Sequence, residues 1–98
     1  MRRKTILLGM NNPLSDDPAM ALYPLPPGCA GNRLWQMLHD RAGSTKAEYV
    51  RGFERLNLII GDWDRAAARA AAEELYRTHA GRRVVVLGAA VRTALRLP

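Results

Sequence analysis

Ninety-eight residues, 48% of them hydrophobic, make one domain with enough apolar side chains for a core, which excludes wholesale disorder. The formal charge is +6, from 15 basic and 9 acidic residues, and 13 of the basic ones are arginine. Arginine binds phosphate through paired hydrogen bonds that lysine cannot form, so this balance points to a polyanionic partner such as DNA, or else to solvated surface arginines. No stretch approaches the ~18 apolar residues of a membrane span, and the apolar run after Arg2-Arg3-Lys4 is too short for a signal peptide. Cys29 is the sole cysteine, which fits a reducing compartment. The expectation is a cytoplasmic protein with no membrane association.

Ile6-Leu7-Leu8, stopped by Gly9, reads as a buried strand over residues 4–9. Residues 10–30 read as an irregular loop carrying Pro13, Pro18, Pro24, Pro26 and Pro27. Loops this long in small domains are functional or disordered, and prolines favour a shaped surface. Residues 32–42 predict a helix with Leu34, Trp35, Leu38 and Ala42 on one face, Trp35 in the core and Gly43 as the stop. A second short helix is expected over 46–54, displaying Tyr49, Val50 and Phe53, and a second strand over 56–60, with Asn57 at its start. Asp62 is the expected cap of a long alanine-rich helix running to about Ala80, with Ala70 and Ala71 on its buried face. Val84-Val85-Val86 centres a third strand over 83–87, and residues 89–96 a last helix. Strands alternating with helices imply an α/β fold: a small parallel sheet of about three strands flanked by helices in three layers. So thin a core leaves room for self-association or a protein partner.

Ligand sites in α/β proteins lie outside the carboxyl ends of strands, which here is the loop after Gly9. Asn11-Asn12-Pro13 is either a simple turn, since these residues form turns for local reasons, or a ligand-contacting loop. Tyr23 is either an aromatic platform or a cover for the core edge. Asn57 can donate and accept through one amide, or merely cap a strand end. The helix start at Gly31-Asn32 offers backbone N–H groups to a phosphate. No His or Asp is spaced to activate Cys29, which reads as structural, and His39 and His79 lack a partner at metal-ligand spacing. Asp16 and Asp17 could hold a metal or water, or simply be solvated. Neither a P-loop nor a dinucleotide fingerprint is present, so no metal and no cofactor are expected.

Gly9-Met10-Asn11-Asn12-Pro13, then Tyr23, then Gly31-Asn32-Arg33-Leu34-Trp35 resemble the uracil-DNA glycosylase superfamily, mostly its mismatch-specific branch. That branch carries a Gly-x-Asn-Pro loop, a stacking aromatic and an Asn-Arg-aromatic-Trp helix start. The resemblance spans about residues 5 to 95, with weaker support from Phe53–Leu58 and Val84–Gly88. It implies a reduced glycosylase-like fold in which Asn11 positions the water that attacks the sugar. Met10, Asn12, Tyr23 and Asn57 would then hold an extruded base, as enzymes acting on a base require. Arg33, with Arg82, Arg83 and Arg92 from the arginine excess, would face DNA phosphates. Superfamily members continue with a second active-site loop that fills the gap left by the base, whereas this sequence stops at Pro98 without that motif. The expectation therefore divides. One reading is a shortened glycosylase that excises uracil or a modified base, preferring single-stranded or mispaired DNA. The other is a non-catalytic relative that binds nucleic acid, a nucleotide or a protein partner.

Overall fold

The computed structural model describes residues 3–12 and 15–97. Three parallel strands, β1 (Thr5–Gly9), β2 (Phe53–Asn57) and β3 (Val84–Val86), form one sheet in the order β2-β1-β3. The loop, helix α1 (Ala30–Ala42) and helix α2 (Lys46–Gly52) connect β1 to β2; helix α3 (Arg65–Thr78) connects β2 to β3, and α4 (Ala89–Ala94) follows. The fold is the small α/β sheet flanked by helices that the alternating pattern predicts.

Register fixes which side chains share a face. Leu8 pairs with Leu56 and Val86, and Ile6 with Glu54 and Val84. Ile6 and Leu8, both fully buried, meet Ala68 and Ala72 of α3 and Val91, Ala94 and Leu95 at α4 in one apolar cluster. On α3 the buried face is alanine (Ala68 0% exposed, Ala72 2%), which lets the helix axis lie close to the strands. Ala71 packs at the margin of this cluster, but Ala70, expected on the buried face, is exposed. The opposite sheet face carries Leu7, Gly9, Arg55, Asn57 and Val85. The loop and α2 cover it over β1 and β2, and Val85 on β3 remains 41% exposed.

Several boundaries differ from the sequence reading. β2 begins three residues earlier than expected, directly after α2, so that Phe53 pairs with Thr5 and Asn57 with Gly9. Its charged residues look unsuited to a strand, yet each has a partner: Glu54 pairs with Arg82, and Arg55 donates to loop carbonyls. The apolar run Leu58-Ile59-Ile60 lies beyond the strand; Leu58 and Ile59 join the core while Ile60 is 69% exposed. Asn57 therefore ends β2 rather than starting it. The cap of α3 is Asp64, not Asp62, its carboxylate accepting from Ala67 N at 2.8 Å. Helix α1 starts at Ala30 and buries only its first turn, Gly31 and Asn32. Trp35 is half-buried rather than core: its indole N–H donates to Ser44 O at 3.1 Å, and its ring packs on His39 and under Lys46. Ala42 is exposed.

Filling the contact between α3 and the sheet is expected to be destabilising. Ala68→Leu or Ala72→Leu should lower unfolding free energy by about 1–3 kcal/mol in urea titrations. Ala70→Leu, on the exposed face, should change it by less than about 0.5 kcal/mol.

Candidate functional site

The loop after β1 is held by its backbone. Arg55 Nη1 donates to Ala19 O (3.1 Å) and Ala21 O (2.9 Å), the Tyr49 hydroxyl to Leu22 O (2.8 Å), Cys29 Sγ to Tyr23 O (3.4 Å) and Asn32 Nδ2 to Pro24 O (2.8 Å). Asn32 Oδ1 also accepts from Gly28 N (3.1 Å), so one buried amide ties both ends of the Pro24–Gly28 stretch. Gly31 lets the loop cross the helix start: a Cβ there would stand 2.2 Å from Tyr23 O and 2.3 Å from Leu22 O. Pro18 opens a single 3-10 turn (Pro18–Met20), capped by Asp17 through Ala19 N.

Held this way, the loop forms one wall of a cleft of about 610 Å³ at the carboxyl ends of the strands. Met10, Asn11, Asn12, Tyr23, Asn57 and Arg33 all line it, together with Cys29, Gly31 and Gly88. The structure thus brings together the residues singled out around the first loop; Pro13 lies outside the described residues. Asn11 Nδ2 donates to Gly61 O (2.6 Å), which fixes the amide, and among the described residues its acceptor oxygen has no partner. Asn57 projects from the end of β2 over Gly9, where a Cβ would come within 3.0 Å of its Oδ1. Among the described residues its side-chain amide has no hydrogen-bond partner. Tyr23 is half-buried, with the Arg55 guanidinium carbon 5.8 Å from its ring centre. Arg33 is exposed and donates to Gly28 O at 2.9 Å.

The other expected phosphate contacts stand apart. Arg82, just before β3, lies at the far end of the sheet, its side chain 9% exposed between Glu54, Lys4 O and His79. It is a structural cross-link, not an arginine free for phosphate. Arg83 is its exposed neighbour and Arg92 is on α4; neither lines the cleft. The first turn of α1 is capped from within, Cys29 Sγ accepting from Asn32 N and Cys29 O from Arg33 N, so those two N–H groups are not open to a phosphate. Asp16 and Asp17 line a smaller adjoining pocket with Asn12, Asn57 and Arg55. Among the described residues no group of three or more His, Cys, Asp or Glu side chains could hold a metal ion, and no carboxylate or imidazole lines the cleft itself.

The residues that hold the loop, Tyr49, Arg55 and Asn32, carry no sequence signal for that role. Their partners are 27, 34 to 36 and 8 positions away, and the longer two depend on the register of β2 and the seating of α2. Comparison with protein-family models, with curated proteins and with solved structures gives no match to this chain.

Tyr49 makes the clamp pH-sensitive. Burial pushes its phenol up from 10.0 to about 12, partly offset by the charge of Arg55. A pKa higher in the folded than in the unfolded chain means that folding favours the protonated phenol. Its contribution is complete below pH 10 and is lost as pH rises from 10 towards 12. Urea midpoints measured across that range should fall more steeply for the wild type than for Tyr49→Phe. At neutral pH, Tyr49→Phe should be less stable by about 1–3 kcal/mol, because Leu22 O loses its donor.

Proposed function

We propose that this protein is a DNA-glycosylase-like protein that binds DNA and takes an extruded base into the cleft at the end of the sheet. The supporting observation is the convergence of Met10, Asn11, Asn12, Tyr23 and Asn57 on that one cleft, with the Asn57 amide unpartnered among the described residues. Its volume falls within the roughly 300–1,000 Å³ typical of small-molecule sites. In this reading the Tyr23 ring stacks on the base, an interaction of about 1–3 kcal/mol. The Asn57 amide, able to donate and accept at once, reads the base edge, and Arg33 at the rim meets the backbone phosphate. The oxygen of Asn11 accepts a hydrogen bond from a water and aims it at the sugar carbon.

An amide can orient water but not deprotonate it, and among the described residues no carboxylate or imidazole lines the cleft to do so. Such a site suits cleavage of an N-glycosidic bond only where departure of the base runs ahead of attack, so that the water needs little activation. The same lack of a carboxylate or imidazole among the described residues favours a second reading, in which the cleft holds a base without cleaving it. A surface with so many arginines supports DNA as the partner, and a single-stranded or mispaired base is the least costly to extrude.

Release of free base from single-stranded and mismatched oligonucleotides containing uracil, followed by alkaline strand scission, separates the two readings. With a working glycosylase, Asn11→Ala abolishes release and leaves binding nearly unchanged, because the amide acts mainly in the transition state. Tyr23→Ala weakens binding and release together. Absence of release at enzyme excess, with binding still dependent on Tyr23 and Asn57, assigns the non-catalytic role. Binding that ignores both residues removes the base pocket. DNA affinity should fall steeply with salt, in proportion to the phosphates contacted, and a flat response would count against nucleic acid altogether.

A further inference from the structure

A second concavity, of about 530 Å³, runs between α3 and α4 on the sheet face away from the loop, and shares no lining residue with the cleft. Its floor is alanine, with Ala68 and Ala94 buried and Ala90 half-buried, and the partly buried Trp63 closes one end. Arg65 and Arg69 rise from its α3 wall, and both are exposed. They stand one turn apart on one helix, about 6 Å along the axis. Neither has an ion-pair partner among the described residues, and no acidic side chain lines the groove.

From this arrangement we infer that the α3–α4 groove docks an acidic amphipathic helix of a partner protein. Small floor residues admit the side chains of a third helix close to the α3 and α4 backbones. Apolar residues spaced at i, i+3 and i+4 fill such a groove as one ridge. Carboxylates spaced four apart on the incoming helix match the pitch of the arginine pair, so one register satisfies apolar and charged contacts together. A nucleic acid strand would meet the arginines with phosphate but offers no apolar ridge for the floor. The groove lies away from the cleft, so a partner seated there leaves the base site open. The inference stands whether or not the cleft binds a base.

The probe is a fluorescein-labelled sixteen-residue peptide with leucines along one helical face and glutamates four apart beside them. The control has the same composition, scrambled so that the leucines share no face. The whole chain is titrated by anisotropy, and the contact is located from the Trp63 indole N–H resonance. The expected result is saturable binding of the amphipathic peptide alone, with a shift of the Trp63 signal. Arg65→Glu with Arg69→Glu should weaken it by about tenfold or more. Ala66→Trp, at an exposed position on the groove wall, should weaken it comparably by filling the space, with melting temperature unchanged for both variants. Equal binding of the scrambled peptide, or no movement of Trp63 in the wild type, overturns the proposal. So does an oligonucleotide that shifts the same resonance and is lost with the same variants, which would give the face to nucleic acid. Self-association of the chain abolished by those variants would overturn it in favour of a second copy.

Discussion

The candidate site depends on one constraint: the carbonyls of a proline-rich loop are satisfied by side chains rather than by a neighbouring strand. Arg55, Tyr49, Cys29 and Asn32 donate to Ala19, Ala21, Leu22, Tyr23 and Pro24. Backbone acceptors packed against a sheet face need partners, and the turns within the loop give N–H donors to Asp17, Pro18, Met20 and Pro26 carbonyls but, among the described residues, not to these five. Each bond is worth roughly 0.5–1.5 kcal/mol net, but leaving a buried acceptor unmet costs about 1–3, so the donors act as a set. The set accounts for otherwise odd choices in the chain: an arginine within a strand, a buried tyrosine on a short helix and a buried asparagine in the first turn of another. It also accounts for Gly31, which no larger residue could replace while the loop crosses so closely.

The loop and the strand ends define the cleft jointly. Gly9 ends β1 with no side chain, and Asn57, its register partner on β2, lays its amide across the space. Arg55, two residues earlier on the same face, reaches the loop carbonyls and lies near the Tyr23 ring. One strand therefore both anchors the loop and supplies a cleft residue. A shift of β2 by one residue would turn Arg55 and Asn57 to the opposite face and dismantle both roles. The core on the other sheet face, where alanines bring α3 close, holds that register.

Much of this organisation was legible in the sequence because it is local. Apolar runs closed by Gly9 and Gly88 mark β1 and β3, the alanine tract marks α3, and Gly43 marks the end of α1. The Asn11–Tyr23–Arg33 stretch is a single unbroken segment, so these residues, which line one cleft, could be singled out together without knowing the fold. What failed was non-local. Leu58-Ile59-Ile60 looks like the strand because it is apolar, whereas the real strand carries Glu54 and Arg55, whose charges are met by Arg82 and by loop carbonyls distant in sequence. Arg82 looks like a surface cation and is a cross-link. Trp35 looks like core and instead covers the α1–α2 turn, the buried residues of α1 being those of its first turn.

In the proposed function the clamped loop and the end of β2 form one base-sized site. Two single-stranded oligonucleotides that differ in one residue, 2′-fluoro-2′-deoxyuridine or an abasic sugar, put that site to the test, the fluorine preventing departure of the base. Each is titrated into the isotopically labelled protein by NMR. With such a site, the base-containing strand alone shifts the Asn57 and Asn11 side-chain amides and the Tyr23 ring signals, all along one saturation curve. Phosphate contacts common to both strands would cancel in the comparison. Identical shifts from the two strands, or base-dependent shifts that bypass Tyr23 and Asn57, would contradict the proposed site.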